Sequence, residues 1–269
     1  ASDVYKRQVT SAIGSDLTLN AGTVLGNVAL TVASNAALTL SASQASGKTI
    51  TGAQAESGET GGSIVVTGLD GSAAYLLNSL VAGAANGNTA GSITATVAAD
   101  AILNGSTDLG ATVVTVASNA ELTLSVSQAN GKTITGAQAT SGGSHHGGSV
   151  VVTGLDTSAF NLSGLTAGAA NGGSTTAGTV TAAVAADLEL HGSANLGVTV
   201  VTVASNAELT LSASQANGKT ITGATATSGG SHHGGSVVVT GLDTSAFNLS
   251  GLTAGAANGG STTAGTVTA

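Results

Sequence analysis

The segment TVASNAALTLSASQASGKTITGA at Thr31 to Ala53 returns as TVASNAELTLSVSQANGKTITGA at Thr115 to Ala137 and as TVASNAELTLSASQANGKTITGA at Thr202 to Ala224. The starts are 84 and then 87 residues apart. A fixed period of this size constrains the chain more than any other feature, because one structural unit must then be stacked or strung. From Thr115 to Ala182 and from Thr202 to Ala269 the copies differ only at Val126/Ala213 and Gln138/Thr225. The first copy is more diverged and carries ESGETGG at Glu56 to Gly62, where the later copies carry TSGGSHHGG. The period divides the chain into repeat 1 (9–92), repeat 2 (93–179) and repeat 3 (180–269), the last incomplete, as expected for a piece of a longer array. Residues 1–8 (ASDVYKRQ) differ in composition and have neither the apolar core nor the cleavage pattern of a signal peptide. They are expected to be an assembly scar outside the fold, and any export signal is expected elsewhere.

Between turn residues the chain is a series of short apolar-alternating runs. In repeat 3 they are LELHG (Leu188 to Gly192), GVTVVTV (Gly197 to Val203), ELTLSAS (Glu208 to Ser214), KTITGA (Lys219 to Ala224), GSVVVTG (Gly235 to Gly241) and FNLSGLTAG (Phe247 to Gly255), with GTVTA (Gly265 to Ala269) opening a seventh. β-Branched residues dominate, and no stretch sustains a 3.6-residue period. The fold class is therefore all-β. A repetitive parallel β-solenoid, about four coils per 87-residue repeat, is favoured because the inward residues are small and no Pro marks a boundary. The alternative is three tandem antiparallel Ig-like β-sandwiches, which the strand spacing also suits. Such a sandwich needs bulky inter-sheet residues, and Tyr75, Phe160 and Phe247 are the one aromatic of each repeat. Asn130–Gly131 and Asn217–Gly218 are hairpin signals and favour the alternative. A two-residue turn there mixes the apolar and polar faces, whereas a three-residue loop pairing Val126 with Ile134 keeps them apart.

Net charge is −8 with only 5 Lys and Arg, so no basic patch exists to neutralise phosphates and nucleic acid is not an expected partner. No apolar run approaches the roughly 20 residues that span a bilayer. The absence of Cys suits an extracellular bacterial product made without disulfides and equally suits the cytosol.

His145–His146 and His232–His233, in Gly-rich loops, are the candidate metal ligands, since imidazole binds Zn, Ni or Cu. Adjacent histidines rarely chelate one ion, no Cys or close carboxylate completes the set, and a solvated loop is the expected reading. Four coils would hold the two pairs about 19 Å apart. Glu189 and His191 share an outward face, but Thr18/Asn20 and Ile102/Asn104 replace them in the other repeats, so catalysis is not expected. Neither a nucleophile elbow nor an H-E-x-x-H is present. Asp70, Asp156 and Asp243 follow Gly-Leu, and Asp16, Asp100 and Asp187 precede strands. Calcium binding by an acidic repeat is physically sensible, yet no motif indicates it, and turn capping is the expected role. No cofactor is expected. Asn104, Asn161 and Asn248 match a glycosylation pattern short enough to arise by chance. Outward threonines such as Thr133 and Thr135 raise the idea of ice binding, which is set aside because GKTIT recurs only once per repeat.

ASNAELTLSASQANGKTITGA followed by GSVVVTGL, NLSGLTAG and GTVTAAVAADLEL resembles the β-strand-repeat arrays of very large secreted bacterial surface proteins, which are adhesin-like. Filamentous-haemagglutinin and autotransporter passengers are looser relatives. The resemblance covers nearly the whole chain from Val9 and carries no functional residue. It implies an extracellular structural or adhesive role, as a stalk or surface array without catalysis. The implied partners are surface glycans or proteins of a host or community, or neighbouring copies of the chain. A binding module using the Gly/His loops for metal ions or glycans is the alternative.

Overall fold

The computed structural model describes residues 9–228, 231–260 and 262–269, so the expectation for residues 1–8 lies outside the described residues. The chain forms two units, Ala1–Ala120 and Glu121–Ala269. The first holds β1 (Thr10–Ile13), β2 (Leu17–Thr18), β3 (Ala29–Val32), β4 (Ala37–Ser41), α1 (Ala42–Ala45), β5 (Ile50–Gly52), β6 (Ser63–Thr67), β7 (Leu80–Val81), β8 (Ile93–Val97), β9 (Ala101–Ile102) and β10 (Val113–Val116). Within it β1-β3-β5-β7 form one ladder and β2-β4-β6-β8-β10 another, with every strand parallel to its neighbour.

The second unit holds β11 (Glu121–Ser125), α2 (Val126–Ala129), β12 (Ile134–Gly136), β13 (Ser149–Thr153), β14 (Leu165–Thr166), β15 (Val180–Val184), β16 (Leu188–Glu189), β17 (Val200–Val203), β18 (Glu208–Ser212), α3 (Ala213–Ala216), β19 (Ile221–Gly223), β20 (Ser236–Thr240), β21 (Leu252–Thr253) and β22 (Val267–Thr268). Here β11-β13-β15-β17-β19-β21 are hydrogen-bonded in that order, as are β12-β14 and β16-β18-β20-β22, again all parallel. In both units strands two apart in sequence pair, and consecutive strands go to different sheets. The fold is all-β and parallel. The antiparallel Ig-like alternative does not describe it.

Alternation decides which face is buried. In β11 Leu122 and Leu124 are buried while Thr123 lies between them half-exposed, and β13, β18 and β20 repeat the pattern with Val150/Val152, Leu209/Leu211 and Val237/Val239. Parallel register stacks like on like: Leu122 on Val150, Leu209 on Val237. Each fully buried Leu or Val contributes about 1.5–3 kcal/mol relative to exposure, so a one-residue slip, which exposes the whole set, is strongly disfavoured.

The hairpin signal fails for a local reason. Ser125 Oγ accepts the N–H of Gln128, and the Gln128 side chain accepts the N–H of Ser125 at 2.9 Å, a reciprocal cap that turns Val126–Ala129 into one helical turn. Val126 is buried there, and Ile134 pairs with Leu165 instead. The same box, Ser212 with Gln215, makes α3 out of residues expected to extend a strand.

The strand count of a repeat is odd. β11 and β18 are the same segment one repeat apart, seven strands on along the chain. A circuit is the stretch of chain from a strand to the one it pairs with, two strands on. The circuits are unequal: Thr181 pairs with Val200 and Val201 with Ile221, whereas Val150 pairs with Val180 and Ile221 with Leu252. Tight turns give the short circuits, and the Gly-rich loops lengthen the others. Because seven is odd, β11 lies in one sheet of this unit and its equivalent β18 in another.

Where strand ends of the two sheets meet, only glycine fits. Gly148 N–H donates to Ala137 O at 2.9 Å, Gly168 N–H to Gly148 O at 2.9 Å and Gly178 N–H to Gly168 O at 2.8 Å. A Cβ on Gly136, Gly147, Gly168 or Gly178 would lie under 3.0 Å from neighbouring backbone. The same arrangement links Ala224, Gly235, Gly255 and Gly265 in repeat 3 and Ala53, Gly62, Gly83 and Gly91 in the first unit. Among the described residues, no helix is long and apolar enough to cross a membrane.

Candidate functional site

The loop corners are tied by main-chain bonds and by polar side chains. His146 forms a parallel bridge with Thr176, and the Thr176 N–H donates to His145 O while Gly147 N–H donates to Thr176 O, both at 3.0 Å. In repeat 3, His233 bridges Thr263, the His233 N–H donates to Asn206 Oδ1 at 2.8 Å, and Asn206 Nδ2 lies 3.0 Å from His232 Nδ1. The His233 ring contacts Thr263 Oγ1. Asn206 sits at φ 62, a conformation Asn tolerates better than other non-glycine residues. In repeat 1 the Thr60 N–H donates to Asn35 Oδ1 at 2.8 Å, and Glu59 accepts from Ser34 Oγ. Glu59 and Thr60 thus stand where His232 and His233 stand, and the same corner is tied by different side chains. Among the described residues, no three His, Cys, Asp or Glu gather where they could hold one metal ion.

The two histidine pairs are not a vertical stack as four coils would make them. The loop carrying His145 and His146 runs from β12 to β13 and arrives at the start of a strand in the β11–β21 sheet. The loop carrying His232 and His233 leaves the end of β19, a strand of that same parallel sheet, for β20. The loops therefore lie at opposite strand ends of this unit.

Glu189 and His191 are both exposed and Leu190 between them is buried, as the alternation requires. His191 is held as a turn residue. Its Nδ1 accepts the Ser193 N–H at 3.2 Å and lies 2.8 Å from Ser193 Oγ, while its carbonyl accepts Gln215 Nε2 at 2.7 Å. Beside it is a shallow open depression of about 280 Å³ lined by Ser193, Gln215, Asn217 and Lys219 among others. A comparable one in the first unit is lined by Thr23, Gln44 and Lys48 among others. In each, the lysine of GKTIT is committed: Lys48 Nζ donates to Gly26 O at 2.6 Å, and Lys219 Nζ donates to Gly197 O. The lysine recurs in the GKTIT of each repeat, and in Lys48 and Lys219 its task is to clip a glycine turn one circuit away.

The aspartates cap turns. Asp70, Asp156 and Asp243 accept the N–H of Ser72, Ser158 and Ser245 two residues on, at 2.9, 2.9 and 2.7 Å. Asp16 and Asp187 accept the N–H of Ala37 and Glu208 at 2.9 Å, each on the paired strand's side. Asp70 has a further partner, the Tyr75 hydroxyl at 2.6 Å. That bond, followed by those from Ser72, lowers the Asp70 pKa from 3.8 to about 2. Burial, and then the bond to Asp70, raise that of Tyr75. Hydrogen bonds from Ser158 and Ser245 likewise lower Asp156 and Asp243. Asn104, Asn161 and Asn248 are turn residues of the same kind, accepting the N–H of Ser106, Ser163 and Ser250 at 3.0, 3.1 and 3.2 Å.

Outward threonines are denser than the GKTIT motif alone suggests. Register places Ser125, Thr153, Ala183, Thr202, Thr222 and Thr253 in one column on β11 to β21. The adjoining column alternates Thr123, Val151, Thr181, Val200, Thr220 and Gly251, so regular hydroxyls run in single file. The same outward face of β11 carries the exposed Glu121, opposite Ser149.

No family model, no curated protein and no solved structure matches this chain.

Proposed function

We propose that the chain is a structural or adhesive segment, a β-solenoid stalk or surface array, of a large secreted bacterial cell-surface protein, and that it performs no catalysis. The observation that carries this reading is the unbroken ladder across a repeat boundary. Val150 and Val151 of repeat 2 pair with Val180 and Thr181 of repeat 3 in the same parallel register used within a repeat. Repeats joined by shared strands transmit load and resist proteolysis as one body, since each buries its apolar face on the next. The bonds of the aspartate and lysine side chains to backbone groups support the same reading, because those side chains serve the stack. The partners are surface glycans or proteins of a host or community, or neighbouring copies.

The test is to display residues 9–269 between an outer-surface anchor and an epitope tag on bacteria and treat the cells with proteinase K. The array keeps the tag at concentrations that remove it from an unstructured linker of equal length. Loss of the tag at the linker's rate contradicts the reading.

A further inference from the structure

The depression beside His191 has its acceptors occupied and its donors left over. Asn195 and Asn217 line it, and each turns its amide oxygen to the main chain. Asn195 Oδ1 accepts the Gly197 N–H at 3.0 Å, and Asn217 Oδ1 accepts the Asn248 N–H at 2.8 Å. An oxygen claimed by a backbone N–H fixes which way the amide points, so the group each residue has left to offer is its Nδ2, with two donors. Among the described residues neither Nδ2 has a partner. The Lys219 ammonium carries three donors and gives one to Gly197 O. The lining carbonyls are taken: Ala194 O by Gln215 Nε2 at 3.1 Å, Asn195 O by the Leu162 N–H at 2.9 Å and Leu196 O by the Thr199 N–H at 3.0 Å. No carboxylate lines the depression. The backbone holds both amides in place, since Asn195 bridges Asn161 and Asn217 closes α3 with its N–H on Ala213 O at 3.0 Å.

We propose that this depression binds the carboxylate of an acidic sugar, a hexuronate unit of a surface polysaccharide. A cation beside two sets of amide donors, with the acceptors spent, calls for an anion that only accepts, and a carboxylate does so with two oxygens. At about 280 Å³ the depression lies at the small end of small-molecule sites, about 300–1,000 Å³, which suits one sugar ring. A peptide carboxylate is less well served. Peptides dock through an open strand edge, an apolar groove or an aromatic-lined one, whereas here the carbonyls are bonded, Ala194 and Leu196 are buried and no aromatic is present. The exposed Ser193 and Ser214 match the hydroxyls of a sugar instead. The site also falls where the repeats diverge. From Thr115 and Thr202 onward the second and third copies differ at two positions, yet Asn104/His191, Thr107/Ala194, Asp108/Asn195 and Ala111/Val198 all differ just before. Val24 and Asp108 replace Asn195 in repeats 1 and 2, so the full donor set belongs to repeat 3. The proposal rests on the surface-glycan partner of the reading above.

The test is a titration of the isotope-labelled chain with glucuronate, glucose and glutamate in parallel, following the side-chain amide signals by NMR. Asn195→Asp and Asn217→Asp keep the oxygen that accepts the backbone N–H and remove the donors, so the signal each variant loses assigns it. Circular dichroism checks that both keep the parent spectrum, and the titration of the parent chain stands without them. Glucuronate shifts the Asn195 and Asn217 signals saturably, glucose leaves them in place, and glutamate acts only at several-fold higher concentration. Each Asp variant raises the half-saturating glucuronate concentration by about tenfold or more, as expected for losing a hydrogen bond to a charged group. No saturable shift with glucuronate, an equal response to glucose or glutamate, or unchanged affinity in the Asp variants overturns the proposal. Such a failure leaves the protease resistance of the array standing, and loss of the tag in that assay leaves this titration unchanged.

Discussion

Gly168 donates its N–H to the Gly148 carbonyl at 2.9 Å, and there is no room on Gly168 for a Cβ. The two residues belong to loop ends of different sheets, so the glycine seam is where the sheets are sewn together. Gly168→Ala must displace backbone, and overpacking of a rigid site costs about 1–3 kcal/mol or more. Gly154, with φ +67 and open space around it, is the control. Gly154→Ala meets only the left-handed backbone penalty, about 1–2 kcal/mol. Urea unfolding should therefore rank Gly168→Ala well below Gly154→Ala. Equal midpoints would contradict the seam.

Thr199 and Thr112 are buried, and their hydroxyls have no hydrogen-bond partner. An unsatisfied buried hydroxyl costs about 1–3 kcal/mol. Repeat 1 has Val28 at the equivalent place, so the site accepts the isosteric apolar residue. Thr199→Val is expected to raise stability by about 1 kcal/mol in denaturant titration. A lower midpoint would mean that the hydroxyl is satisfied after all.

Lys219 reaches one circuit back to the Gly197 carbonyl, whose residue sits at φ +57. A charge-assisted bond contributes about 1.5–3 kcal/mol when shielded and less when partly solvated. Lys219→Met keeps the alkyl stem and should lose about 1 kcal/mol, read from the same titration. An unchanged midpoint would reduce the lysine to a solubilising charge.

Asp70 is the titrating group with a distinctive environment. Its folded pKa, about 2, lies below its ordinary 3.8, so its contribution is fully present above pH 4 and is lost as pH falls toward 2. Removing the Tyr75 hydroxyl removes the largest cause of the shift. In Tyr75→Phe, the carboxyl titration followed by NMR should move upward toward 3.8, and the acid-side loss of stability attributable to Asp70 should shrink. An unmoved titration would show that Ser72 alone sets the value.

The strands were legible because their signal is local. All seven runs named in repeat 3 contain a strand, from Leu188–Glu189 to Val267–Thr268, since alternation such as Leu209-Thr210-Leu211 reports burial directly. Small inward residues and the lack of boundary residues favour parallel pairing, and the sheets are parallel. The odd strand count per repeat was legible in the seven runs, although four coils per repeat passes over it. Average coil length hid the difference between the Thr181–Val200 step and the Val150–Val180 step. The helical turn was written in the S-x-x-Q of Ser125 and Gln128, but Asn130–Gly131 drew attention to a hairpin. The glycine seam had no one-dimensional mark, because Gly148 and Gly168 meet only after the chain has gone round the core. The loop residues were named in advance, but not that His232 and His233 meet Asn206, or that the two loops face opposite edges.

In the β-solenoid stalk we propose, a repeat of seven strands makes three and a half circuits. Its most direct test is the increase in maximum dimension, by small-angle X-ray scattering, as repeat 3 is duplicated once, twice and three times. At about 4.8 Å per circuit, each added repeat should lengthen the particle by about 17 Å. Increments near 30 Å, the width of a separate 87-residue globule, would contradict the account.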